Sequence, residues 1–216
     1  MQISSIVFHP LLILFYGFML LLVVNPYLFG SANVSDQSLL VIKFFVVSFF
    51  FPALITAMMV GLKFVPSFQM PDKRDRIFPL IGTMLFYIWL FVNLNQSGDS
   101  PRELEILTLG AVLSLVLAFV INTVYKISLH ATGMGGLIGI ASLLYFSFAY
   151  THFNLPLFGM DWYVPTRWLV ILVLLLAGWV MSARLHLKAH SIHEVYWGAL
   201  LGFASQWIAW LVYQLI

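Results

Sequence analysis

Long apolar stretches alternate with short polar ones along the whole chain. Seven runs stand out: Pro10–Leu28, Leu39–Leu62, Phe78–Leu94, Leu104–Tyr125, Gly133–Tyr150, Trp168–Ala183 and Val195–Ile216. Each is long enough, or nearly so, to cross a bilayer, since about 20 helical residues span a hydrocarbon core of about 30 Å. The pattern predicts seven helices and no soluble domain. Asn25-Pro26 and Gly30-Ser31 punctuate the end of the first run, and Ser31–Gln37 reads as a polar turn. Lys43 lies close enough to the start of the second run to snorkel, and Pro52 is expected to kink it. Ser97-Gly98-Asp99 with Pro101, the link Lys126–Gly133, and the Pro- and aromatic-rich segment Asn154–Pro165 read as loops. With no internal repeat and no low-complexity segment, the expected fold is all-α: a polytopic membrane helix bundle forming one domain over residues 1–216.

Composition agrees and narrows the chemistry. The chain is 62% hydrophobic and only 8% charged, with a mean hydropathy of +1.00, which is far too apolar for a soluble domain. A net charge of +2 gives no reason to expect a nucleic-acid partner, and the absence of cysteine excludes disulfides, thiolate metal sites and thiol catalysis. The first run lacks a basic leader and a small-residue cleavage site, so it reads as a retained helix. His9-Pro10 stands at its mouth, and His9 reads as structural, as does His152 on the opposite face.

Seven crossings put the N-terminus, Met70–Ile77, Lys126–Gly133 and Arg184–His193 on one membrane face. Ser31–Gln37 and the loops of Asp99 and Asp161 fall on the other. The segments rich in basic residues and histidine thus come from distant parts of the sequence to a shared face, where they can converge on one pocket. Its candidates are Lys73, Arg74, Arg76, Lys126, Ser128, His130, Arg184, His186, Lys188, His190, His193 and Glu194. A basic pocket at headgroup level suits an anionic lipid headgroup, meaning phosphate.

The densest chemistry lies in RLHLKAHSIHEVYWGALLG, Arg184–Gly202. Ionisable groups at a membrane edge are costly unless solvated or paired, so such clustering marks a site. Glu194 follows His190 by four residues, one helical turn. A carboxylate there holds one ring N–H, fixes the tautomer, and frees the other nitrogen to attack or to bind a metal.

The segment Arg184-x5-His190-x3-Glu194 resembles the third motif of the type 2 phosphatidic acid phosphatase superfamily, Ser-Arg-x5-His-x3-Asp, with Ala183 for the serine and glutamate for the aspartate. Gly198 and Gly202 continue the likeness. Ile127-Ser128-Leu129-His130 is similar to the second motif, Pro-Ser-Gly-His, without its proline and glycine. For the first motif, Lys-x6-Arg-Pro, Lys63-x6-Met70-Pro71 has the spacing without the arginine, and Lys73 and Arg76 before Pro79 have the charges without the spacing. The resemblance covers about residues 63–202. It implies a core of six helices and a phosphohistidine mechanism acting on a membrane lipid phosphate or polyprenyl diphosphate. His190 would be the nucleophile, Glu194 its orienting carboxylate and His130 the proton donor to the leaving group. Arg184, Lys73, Arg76, Lys126 and Ser128 would bind the phosphoryl oxygens. No cofactor and no metal is implied. A bacterial inner membrane is the expected location.

Each feature also has a plainer reading. Lys73–Arg76 serves equally as a positive-inside anchor, His186 and His193 as interfacial residues, and the glycines at 133, 135, 136, 139, 198 and 202 as points of close helix packing. Two further functions stay open: a non-catalytic subunit that grips a lipid headgroup, and a metal protein using His130, His186, His190, His193 and Glu194. Arg184, Lys188 and Lys126 would repel a dication. The motif face carries Lys63, Lys73, Arg74, Arg76, Lys126, Arg184 and Lys188 against Arg102 and Arg167 opposite, a cytoplasmic bias. Phosphate binding would account for several of these, and bacterial members of the family often face outward, so both orientations remain.

Overall fold

A computed structural model describes residues 6–31, 33–68, 70, 72–157 and 159–215. The chain forms α1 (Pro10–Val24), α2 (Ser38–Phe45), α3 (Phe51–Gly61), α4 (Ile77–Ser97), α5 (Arg102–Val124), α6 (Leu129–Phe146), α7 (Thr166–His186) and α8 (Ile192–Leu215). The π-helical turn Val46–Phe50 joins α2 to α3 with helical backbone throughout, so the two form one continuous rod. Pro52 accounts for the widened turn: it offers no N–H to the preceding turn, and the ladder opens just before it. The result is the expected all-helical bundle. Among the described residues six helical stretches are long and apolar enough to cross a membrane, and α1 is shorter. The protein is accordingly an integral membrane protein.

α6 is the central rod. In its most apolar window 61% of residues are buried, against 22–33% for the other spans, which turn apolar faces outward toward lipid. It packs on α8, α7 and α1, while α5 joins α8 and α4. The tightest seam is α6 on α8. A Cβ at Gly135 would strike the carbonyl oxygen of Ala199, one at Gly202 would strike that of Thr132, and one at Gly198 would sit 2.7 Å from that of Ser128. These are backbone-to-backbone contacts of the kind small residues allow in membranes.

Two expectations need correction. Lys126–Gly133 is not a polar link throughout: α6 begins at Leu129, with Ser128 as N-cap accepting a hydrogen bond from the Ala131 N–H at 3.4 Å. His130 therefore stands on the first helical turn. The Asn154–Pro165 segment is not an irregular loop either. β1 (His152–Leu157) and β2 (Met160–Pro165) pair antiparallel, with Leu157 opposite Met160 and His152 opposite Pro165. The turn uses Gly159 at φ +75°. A two-stranded ribbon has only edges, so Pro156 and Pro165 are tolerated in it.

Candidate active site

The polar segments of the motif face are stitched together largely through backbone carbonyls. Lys73 Nζ donates to the carbonyls of Thr123 and Val124, at 2.8 and 3.0 Å, closing the C-terminal end of α5. In return Asn122 Nδ2 donates to the Lys73 carbonyl at 2.9 Å. Arg76 is buried; its Nε donates to the Met70 carbonyl and its Nη1 to that of Ile127, each at 3.2 Å. Ser128 N–H donates to the Glu194 carbonyl at 3.1 Å, joining the start of α6 to the start of α8. The three segments that the sequence assigns to one face are therefore in contact.

Local sequence places His190. α7 ends in a paired reversal, Ala189 N–H to the Arg184 carbonyl and Lys188 N–H to that of Leu185, with Lys188 left-handed at φ 51°. This is the helix stop usually given to glycine, here held by a lysine at a cost of about 1 kcal/mol. α8 then starts from Ser191, whose Oγ accepts the Glu194 N–H at 3.3 Å, the first half of an S-x-x-E capping box. The Glu194 carboxylate goes to histidine: Oε2 lies 2.6 Å from His190 Nδ1, with the His190 side chain 3% exposed and that of Glu194 18%. Nδ1–H donates to the carboxylate, which leaves Nε2 as the unprotonated nitrogen. Burial holds the imidazole below its ordinary 6.5. The Glu194 hydrogen bond opposes that shift, and the charges of Arg76 and Lys126 reinforce it. His190 is thus neutral at neutral pH, with a lone pair on Nε2.

His190, His130, Arg76 and Arg184 line one cavity of about 500 Å³. A further lining residue, His9, is one that sequence reasoning set aside. It is the N-cap of α1, accepting the Leu11 N–H through Nδ1 at 3.4 Å, and its ring meets that of His130 edge-on at 6.0 Å between centroids. Its side chain keeps an exposed edge, and the protein packed around the rest of the ring depresses its pKa. A His-Pro pair at a helix mouth does read as a cap, and nothing in its spacing pointed to the other motifs.

The remaining candidates sit around this centre. Lys126 is half-buried and close enough for its charge to act on His190, but it does not line the cavity. Ser128 is fully buried at the α6 cap, where its hydroxyl and carbonyl serve Ala131 and Thr132. Lys73 is engaged at the end of α5. For the first motif, Met70 lines the cavity, Lys63 is exposed at φ 61°, and Pro71 lies outside the described residues. His186 and His193 are exposed, and His152 stacks on Tyr163 in the distant hairpin at 4.5 Å. Among the described residues no three histidine or carboxylate side chains come together in a way that could hold a metal ion. No protein family, characterised protein or solved structure compared with the chain matches it.

Proposed function

We propose that the protein is a membrane lipid phosphatase or phosphotransferase working through a phosphohistidine, in a bacterial inner membrane as the motif resemblance implies. One observation carries this reading: a buried His190, oriented by Glu194, shares a cavity with a second histidine and two arginines. In the proposed reaction the Nε2 lone pair of His190 attacks phosphorus as the P–O bond to the leaving group breaks. Protonated His130 gives its proton to the departing oxygen. Arg76 and Arg184 face the phosphoryl oxygens, where charge accumulates in the transition state. Water then attacks the phosphohistidine, with neutral His130 taking its proton. The P–N bond breaks, and phosphate leaves with His190 neutral again. An acceptor alcohol in place of water would make the same site a transferase. Burial suits the first step, because it favours the neutral imidazole that the attack requires.

The test is phosphate release by purified protein from a panel of phosphatidate, polyprenyl diphosphate and single-chain alkyl phosphates, with and without chelator. Release that survives chelation and disappears in His190→Ala supports the proposal. Release abolished by chelator would favour a metal mechanism. Tight headgroup binding with no release from any lipid would make the protein a binding subunit.

A further inference from the structure

The cavity does not stop at the polar cluster. On α6 it is lined from His130 to Ile140, on α4 from Arg76 to Tyr87, and on α8 it reaches Gln206. At 1.5 Å rise per residue these helices give a depth of about 15–21 Å below the headgroup level. That is roughly half to two-thirds of a hydrocarbon core. Its walls become apolar with depth, through Leu14, Leu80, Leu107, Leu137 and Ile140. Beside the phenol of Tyr87, three hydroxyls along it are turned back onto the main chain. Thr56 Oγ1 donates to the Pro52 carbonyl, Thr83 Oγ1 to Pro79 and Ser114 Oγ to Ala111, each back onto its own helix at 2.8–3.0 Å. Gln206 Nε2 donates to the Leu107 carbonyl at 3.3 Å, and its Oε1, without a partner among the described residues, is the one polar atom of that side chain left over at the deep end. Such walls offer little to a file of water or to an ion, and they suit hydrocarbon. The space also separates α1, which packs on α6 and α5, from α3, which packs on α4.

We propose that this cavity receives the hydrocarbon chain of the substrate, which is a long-chain lipid phosphate bound with its head at Arg76 and Arg184 and a chain inside the bundle. The assignment of the head end rests on the phosphatase reading; the occupant follows from charge complementarity at one end and a predominantly apolar wall at the other. The protein then measures chain length: referred to free phosphonate in water, each methylene that enters the cavity strengthens binding by up to about fourfold, the equivalent of about 0.8 kcal/mol, while a chain drawn from the bilayer gains only closer packing, and methylenes beyond the cavity's end add nothing to binding in it.

A non-hydrolysable probe tests this independently of turnover. Alkyl phosphonates of increasing length, each carrying a terminal diazirine, are photolysed with the full chain in lipid nanodiscs, and the labelled residues are located by mass spectrometry. The expected label moves inward with chain length, ending at Leu107, Ala111 and Ile140, and binding gains level off once that depth is reached. Ala111→Phe should remove the deepest label and bring the plateau to shorter chains. Ala111→Leu should do so to a smaller extent, which preserves the test if the larger side chain prevents folding. Label on outward-facing residues such as Leu85, Ile88 and Leu175, at every chain length, would overturn the proposal. So would affinity that grows without limit as the chain lengthens. Deep labelling in a protein that releases no phosphate leaves the chain site standing and rejects the catalytic reading; phosphate release with only outward label does the reverse.

Discussion

Gly202→Ala is the sharpest probe of the arrangement that carries the site. The added methyl group would run into the Thr132 carbonyl oxygen, an atom of the α6 backbone that cannot rotate aside. Relief requires α8 to move off α6, and overpacking of this kind costs about 1–3 kcal/mol, the upper end applying when the obstacle is rigid backbone. Exchange of helical glycine for alanine returns about 0.4–1 kcal/mol through the unfolded state, so the net loss is about 2 kcal/mol. The internal control is Gly136→Ala on α6, where the nearest atom a Cβ would meet is the Gly202 carbonyl oxygen at 3.8 Å. That variant keeps the backbone gain without the clash. With about 2–4 °C per kcal/mol for a chain of this size, thermal unfolding in detergent should place Gly202→Ala some 4–8 °C below wild type. Gly136→Ala should lie level with wild type or slightly above it. Equal midpoints for the two variants would refute the close α6–α8 seam, and with it the account of how His130 and the His190–Glu194 pair are held in register.

Further outcomes follow from the site. His190→Ala should abolish turnover, and Glu194→Gln should lower it by about 10⁴, the cost of losing the orienting carboxylate in a comparable triad, with the protein still folded. The kcat/KM profile of wild type should show an acid limb with its midpoint below 6.5, because burial depresses His190 and the neutral form is the reactive one. Glu194 raises that pKa, so Glu194→Gln should move the limb further down; an upward move would contradict the pairing. By the same linkage stability should fall as pH drops below 6.5, since His9 and His190 accept protons more readily unfolded than folded. His130→Ala should slow hydrolysis of an alkyl phosphate by about 10²–10⁴ and of a nitrophenyl phosphate far less. Equal losses on both substrates would defeat the general-acid role. Lys73→Met should lower the unfolding midpoint by a few degrees, about 1 kcal/mol for the lost carbonyl contacts, with no large rise in KM; a large rise would return Lys73 to the phosphate.

Much of this was legible because charge is rare in the chain. In a sequence with so few ionisable residues, Arg184, His190 and Glu194 stood out, and parity of crossings carried them to the side of Arg76 and His130. Helical spacing of four residues predicted the His190–Glu194 contact itself. The glycines at 135, 198 and 202 announced a close seam in the same way. What the sequence hid has physical causes. The start of α6 was masked because Lys126, Ser128 and His130 read together as polar link, although serine before Leu129 is an ordinary N-cap signal. The hairpin was masked because Pro156 and Pro165 argue against strands, and only a free edge on each side excuses them. His9 was passed over because its role depends on α1 lying beside α6, which no local pattern encodes. The roles of Lys73 and Ser128 turn on where a side chain's hydrogen bonds end, and composition is silent on that.

The contacts that gather the polar segments have a consequence for how this protein tolerates change. Lys73 reads the carbonyls of Thr123 and Val124, Arg76 reads that of Ile127, and the start of α6 reads that of Glu194. Every residue type supplies a carbonyl, so the first three positions impose no chemistry on their own side chains. Positions 123 and 124, both exposed, are thus free to drift under mutation while the framework around the histidines keeps its shape, whereas Ile127 is fully buried and is held to an apolar side chain by packing alone. The constraint falls instead on the few donors that reach across, on the glycines of the seam, and on the geometry of the main chain between them.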